Sequence, residues 1–134
     1  MNQHSYLLDT NIISALIREP QGPVLKKLEA KLPATACTSI IVAAEIHFGL
    51  CKNTSKKLKI QAEKILAGLD ILPLDPPTEK IYGEIRAHLH KIGQPIGYND
   101  LFIAAHARAL DLILVTANLK EFKRVPKLKV ENWL

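Results

Sequence analysis

The chain is 134 residues long, with 18 Lys and Arg against 13 Asp and Glu, a formal charge of +5. At 48% hydrophobic and 23% charged residues, it has the make-up of one ordinary folded domain over 1–134, which excludes disordered, collagen-like and fibrous classes. The positive excess favours a polyanionic partner without naming one.

Residues 5–8 (SYLL) form a short apolar run that stops at Asp9-Thr10-Asn11, residue types that cap helices, so the segment reads as strand, turn, helix. The helix carries Ile12, Ile13, Leu16 and Ile17 on one face and ends before Pro20 and Gly22. A second amphipathic helix is expected over 23–31, and ATACT (34–38) suits a strand. Ser39 then caps a helix to about Cys51, with Glu45 inside it. Residues 55–68 predict a helix with Leu58, Ala62, Ile65 and Leu69 on one side and lysines outside. DILPL (70–74) suits an edge strand, because Pro73 has no N–H for a ladder. A helix over 78–92, the loop GQPIG (93–97) and another helix from Asn99-Asp100 follow, the last with Leu101, Ala104, Ala105 and Leu110 inward. LILV (112–115) has the apolar character of a buried parallel strand, and 128–130 is a candidate last edge strand. Strands separated by helices predict an α/β fold with a mostly parallel central sheet and helices on both faces.

Five of the acidic residues lie inside apolar segments: Asp9, Glu45, Asp70, Asp100 and Asp111. Burying a carboxylate costs several kcal/mol unless it is paired or binds a cation. Asp70 and Asp111 precede apolar runs, where turns account for them. Asp9 follows its strand, at the carboxyl edge where open parallel sheets bind ligands, although a helix cap also explains it. Glu45 lies mid-helix with Ile41 and Phe48 as stripe mates, and its alternative is a boundary residue whose head reaches water. Asp100 opens a helix, so that it or Asn99 could cap it. A cluster of three carboxylates is tolerable chiefly where a cation binds, and all-oxygen ligation points to Mg²⁺ or Mn²⁺. Thr116 and Asn118 follow the LILV strand, so they belong to the same edge as Asp9, and Glu121 is a candidate fourth acid. The histidines show no zinc spacing, and His4 reads as merely terminal. Cys37 and Cys51 form neither a CxxC nor a disulfide framework, and the first apolar stretch is broken by Asp9 and Asn11, so a cytoplasmic protein without membrane association is expected.

Four ordered segments, LLDTNIIS (7–14), TSIIVAAEIHFG (38–49), IGYNDLFIAAHA (96–107) and LVTANLKEF (114–122), resemble the PIN-domain ribonucleases, and among them the VapC toxins of bacterial toxin–antitoxin pairs. The resemblance covers nearly the whole chain. It implies a PIN-like three-layer α/β/α fold over a single domain and an Mg²⁺-dependent endoribonuclease, with Mn²⁺ as a substitute ion. Asp9, Glu45 and Asp100 match the family's three acidic residues, Asp9 and Asp100 as metal ligands and Glu45 as a ligand, directly or through water, or as a base. Thr10, Asn11 and Thr116 match supporting positions, and related chains often have aspartate where this one has Asn118, or at the position of Glu121. It further implies structured RNA such as tRNA as target, a VapB-like antitoxin that wraps a groove and blocks the site, operator DNA bound through the antitoxin, and a homodimer.

The lysines suit a substrate held through its backbone, notably Lys52, Lys56 and Lys57 after the Glu45 helix and Lys120 near the C-terminus, although solvated helix faces also explain them. Aromatics are scarce at 5%, and Tyr98, beside Asp100, is the one placed to touch RNA. Two other classes compete with the nuclease. A non-catalytic RNA-binding or corepressor subunit would have no need of three costly carboxylates, and a phosphatase would want a DxD spacing where Asp9 is followed by Thr10 and Asn11.

Overall fold

The computed structural model describes residues 3–134. Five strands, β1 (Tyr6–Leu8), β2 (Ala36–Ser39), β3 (Asp70–Leu72), β4 (Ile113–Val115) and β5 (Val130–Glu131), form one sheet in the order β3-β2-β1-β4-β5. Every pairing is parallel. The helices are α1 (Thr10–Arg18), α2 (Pro23–Lys31), α3 (Ile40–Lys52), α4 (Lys56–Ala67), α5 (Thr78–Lys91), α6 (Tyr98–Ala109) and α7 (Leu119–Phe122). From β1 to β3 the chain steps in one direction across the sheet, and from β3 through β4 to β5 in the other. Right-handed crossovers therefore put α1–α4 on one face and α5–α7 on the opposite one, the expected three-layer PIN-like architecture. α1 packs on α2, α3 and α4, and α5 packs on α6, while α3, which carries Glu45, also meets α6, which carries Asp100.

Local chemistry explains the elements. The Asp9 side chain caps α1 by accepting from the Thr10 N–H, and Ile12, Ile13, Leu16 and Ile17 are all buried. Ser39 Oγ accepts from the Ile41 N–H at the start of α3, and Ser55 Oγ from the Leu58 N–H at the start of α4. Leu7, Leu8, Ile13, Leu114 and Phe122 are among the fully buried side chains of the core, each worth about 1.5–3 kcal/mol in burial. β3 is an edge strand as Pro73 foretold, and β5 forms the other edge, beginning two residues and ending one residue later than expected. The one-turn α7 has no counterpart among the expected elements. It is held by the wholly buried Phe122.

One expectation is corrected, and packing decides which side of α3 faces the core. Phe48, the stripe mate of Glu45, is 64% exposed, and the core side of α3 is Val42, Ala43 and Ile46. The apolar face of Glu45 is thus an outer face, because both flanks of α3 are apolar and only packing distinguishes them. His4 is not idle: its ring nitrogens meet Thr35 Oγ1 at 2.8 Å and Asp70 Oδ2 at 2.7 Å, tying together the amino ends of the strands. Among the described residues, no helix is long and apolar enough to cross a membrane.

Candidate active site

The strand order reverses direction between β1 and β4, and the crevice outside their carboxyl ends is where an open parallel sheet binds ligands. Asp9 is the first residue after β1. Its N–H donates to the Val115 carbonyl at 2.9 Å, which sets it beside the end of β4. Oδ1 accepts from the Thr10 N–H and Oδ2 from the Thr116 hydroxyl, both at 2.8 Å. Thr116 is wholly buried and accepts in turn from the Asn118 N–H at 3.0 Å. The cap and the crevice readings of Asp9 therefore hold together: one oxygen caps α1 while the other is aimed by Thr116.

Glu45 reaches the crevice from α3. The Thr10 hydroxyl donates to its Oε1 at 2.6 Å, and Asn99 Nδ2 lies 3.5 Å from its Oε2. Thr10 thus ties α1 to Asp9 through its N–H and to Glu45 through its side chain. Asn11 Oδ1 accepts from the Ala117 N–H at 2.9 Å and fastens α1 to the loop after β4. Neither Asn99 nor Asp100 caps α6. The cap position is Gly97, which offers no side-chain bond, and Asp100 lies inside the first turn.

Burial pushes the Asp100 carboxyl upward, and the charges of Asp9, Glu121 and Glu45 push it further, as does a hydrogen bond to Glu121 that favours the protonated form. It rises from 3.8 to about 7. Asp9 is also raised, mainly by burial; the Thr116 and Thr10 hydrogen bonds oppose this, and the charge of Glu45 adds to it. Four carboxylates from four elements of the chain therefore share one field. Among the described residues, no three acidic, imidazole or thiol side chains converge as a ready-made metal cage. The donors are nevertheless all oxygen, and the repulsion they impose on Asp100 is what a divalent cation would relieve. Residues and charge fit a hard ion such as Mg²⁺ or Mn²⁺, provided that Asp100 gives up its proton.

The PIN domain profile matches residues 6–128. Ribonuclease VapC2 of Haemophilus influenzae (strain Rd) is 40% identical over 130 residues, covering 96% of this chain and 98% of its own. This chain belongs to the VapC family of PIN-domain proteins. The tRNA(fMet)-specific endonuclease VapC of Shigella flexneri is 33% identical over 129 residues, with 96% and 97% of the two chains covered. Among solved structures, VapBC2 from Rickettsia felis bound to a DNA fragment from their promoter matches with a TM-score of 0.90 and 38% identity over 96% of this chain and 98% of that one.

The other expected residues of this VapC family member fall in distinct places. Glu121, in α7, joins the acidic field, and Lys120 beside it is exposed. Asn118 acts through its backbone N–H. Lys52 holds its Nζ 4.4 Å from the Phe48 ring centroid. Both line a groove of about 860 Å³ that begins at Thr10, Glu45 and Asn99 and runs over Ile17 and Ile41 to Leu58. Lys56 and Lys57 are exposed in the first turn of α4, outside that lining. Tyr98 is 65% exposed, with the Arg86 guanidinium 4.8 Å from its ring centroid.

Sequence reading missed Asn99 as a partner of Glu45, the residues that line the groove, and Arg86. The DTN tripeptide signalled the Thr10 position but not its bridge between two carboxylates. A second concavity, about 590 Å³, lies among His4, Asp70, Pro73 and His106, away from the acidic crevice. His106 is buried there with Nδ1 2.9 Å from Ser39 Oγ, and burial lowers its pKa, so a neutral imidazole posts α6 against the end of β2.

Proposed function

We propose that this chain is a metal-dependent endoribonuclease toxin that hydrolyses RNA phosphodiester bonds at the β1/β4 crevice, acting as a single domain over 1–134. The observation that carries the reading is the gathering of Asp9, Glu45, Asp100 and Glu121 at that crevice, in a chain of the VapC family. Asp9 and Asp100 would hold Mg²⁺, or Mn²⁺ in its place, with Glu45 joining directly or through water and Glu121 as a fourth acid. When bound, the ion supplies a lowered pKa for an attacking water and offsets charge on the phosphoryl oxygens.

The chain's own residues prepare the crevice. Thr116 and the Thr10 N–H hold Asp9 in one orientation, so little is lost in ordering it. The Thr10 hydroxyl and Asn99 hold Glu45 where it can ligate or take a proton from water. Asp100 must release its proton first, so metal affinity rises as pH passes about 7. Lys120 stands beside Glu121 to meet the RNA backbone, while Lys52, Lys56 and Lys57 offer charge on the α3–α4 side. Structured RNA such as tRNA is the proposed target, after the tRNA(fMet)-specific relative.

A VapB-like antitoxin segment is proposed to lie in the 860 Å³ groove, because one end of that groove is the Glu45 side of the site and its wall is apolar. The VapBC2 complex on promoter DNA supports operator binding through such a partner, and a homodimer and a cytoplasmic location complete the reading. The test is expression in a bacterial host. The wild type alone is expected to arrest growth, with relief by Asp9→Asn or by a co-expressed antitoxin. Normal growth with soluble, RNA-cutting wild type would reject the toxin role.

A further inference from the structure

The α5–α6 hairpin carries an aromatic and cationic surface that the acidic crevice does not use. Arg86, whose guanidinium stands over the exposed Tyr98 ring, also donates from Nη1 to the Tyr82 hydroxyl at 3.1 Å. Tyr82 stacks on Phe102, with centroids 4.3 Å apart and planes 22° from parallel. The arginine is therefore fixed from behind while the tyrosine is 65% exposed. Beside them lies a depression of about 150 Å³ whose lining includes Arg86, His90, Pro95 and Tyr98. Pockets that engulf a whole small molecule run to ~300–1,000 Å³, so this one has room for little more than a flat ring system. Arg124, three residues after Glu121, donates to the Pro95 carbonyl at 3.3 Å and brings a further cation to the rim.

We propose that Tyr98 and Arg86 form a stacking step for one unpaired nucleobase next to the scissile bond, a reading that rests on the nuclease assignment above. Cations around an exposed ring suit a polyanion with planar groups, the combination by which proteins hold single strands. Tyr98 precedes Asp100 by two residues, about 3 Å of helix rise. Residues two apart face different sides of a helix. A strand with a phosphate at Asp100 thus reaches Tyr98 only by turning a base over the end of α6, which a paired and stacked base cannot do. The step therefore selects for unpaired RNA and for the nucleotide beside the cut.

The test is steady-state cleavage in Mg²⁺ of a short, unstructured, 5′-fluorescein-labelled RNA of mixed sequence, with the cut sites mapped. Tyr98→Ala is expected to raise KM by about 5- to 100-fold, the range for losing one base–aromatic stack, with kcat within about 2-fold. Its cuts should lose their preference for the neighbouring base. Tyr98→Phe should restore both, since the ring face is kept, and Arg86→Ala should raise KM more than Lys26→Ala, a matched loss of charge on α2. Unchanged KM and cut sites in Tyr98→Ala would overturn the proposal. So would a KM change accompanied by a dimer-to-monomer shift in sedimentation, which would make the face a contact between copies. A wild type that cuts neither this RNA nor total tRNA overturns the nuclease reading and this one with it, whereas a cutting wild type indifferent to Tyr98 overturns this one alone.

Discussion

Replacing Asp100 by Asn is expected to make the metal-free protein more stable at pH 8 while abolishing its activity. The Asp100 carboxyl is raised from 3.8 to about 7 by burial and by Asp9, Glu121 and Glu45. The folded chain thus holds a proton that the unfolded chain releases, so stability is fully present below about pH 4 and falls as pH rises through about 7. Taken at face value the shift is worth about 4 kcal/mol; the side chain is only half-buried, and solvent screening reduces this to about 1–2 kcal/mol. Asn keeps the shape without the charge. Urea unfolding in EDTA at pH 8 should show a midpoint roughly 0.5–1 M higher for Asp100→Asn, and the gap should close near pH 4. Added Mg²⁺ should then stabilise the wild type and leave the variant nearly unchanged. A variant less stable than wild type at pH 8, or a difference independent of pH, would refute the reasoning.

Thr116→Val keeps the buried volume but leaves Asp9 Oδ2 without its hydroxyl and the Asn118 N–H without its acceptor. It should cost about 1–3 kcal/mol in unfolding experiments and about 10- to 100-fold in Mg²⁺ affinity, measured by calorimetry. Phe48→Asp touches an exposed ring on the groove wall, so stability should change by no more than about 0.5 kcal/mol and RNA cleavage should persist. Antitoxin affinity should fall by about 30-fold or more if Phe48 anchors that partner, and co-expression should then no longer relieve toxicity.

Much of the fold was legible because its signals are local. Asp9 and Ser39 cap their helices as the residue types suggested, the last three residues of LILV form the strand β4, and Pro73 marked an edge strand. The candidate site was legible in its carboxylates, since Asp9, Glu45 and Asp100 are acids in apolar surroundings. What stayed hidden depends on long-range packing. The Thr10 hydroxyl meets a carboxylate 35 residues away, and Thr116 meets Asp9 across 107 residues. Which side of α3 faces solvent was open in the sequence, because apolar residues lie on both of its sides and only tertiary packing distinguishes them. Asn99 carried a capping signal that Gly97 pre-empts, which frees its amide to face Glu45. His4 looked idle because its partners, Thr35 and Asp70, belong to neighbouring strands.

The central claim, that the crevice is a metal-dependent nuclease site, is tested most directly by incubating total cellular RNA with wild type or Asp9→Asn, in Mg²⁺ or in EDTA, and mapping new 5′ ends. A discrete set of cuts made by wild type in Mg²⁺, absent in EDTA and absent with Asp9→Asn, is the expected result, and it names the substrate. Cuts that persist in EDTA or in the variant would contradict the assigned chemistry, and no cut by folded wild type would point instead to a non-catalytic RNA-binding or corepressor subunit.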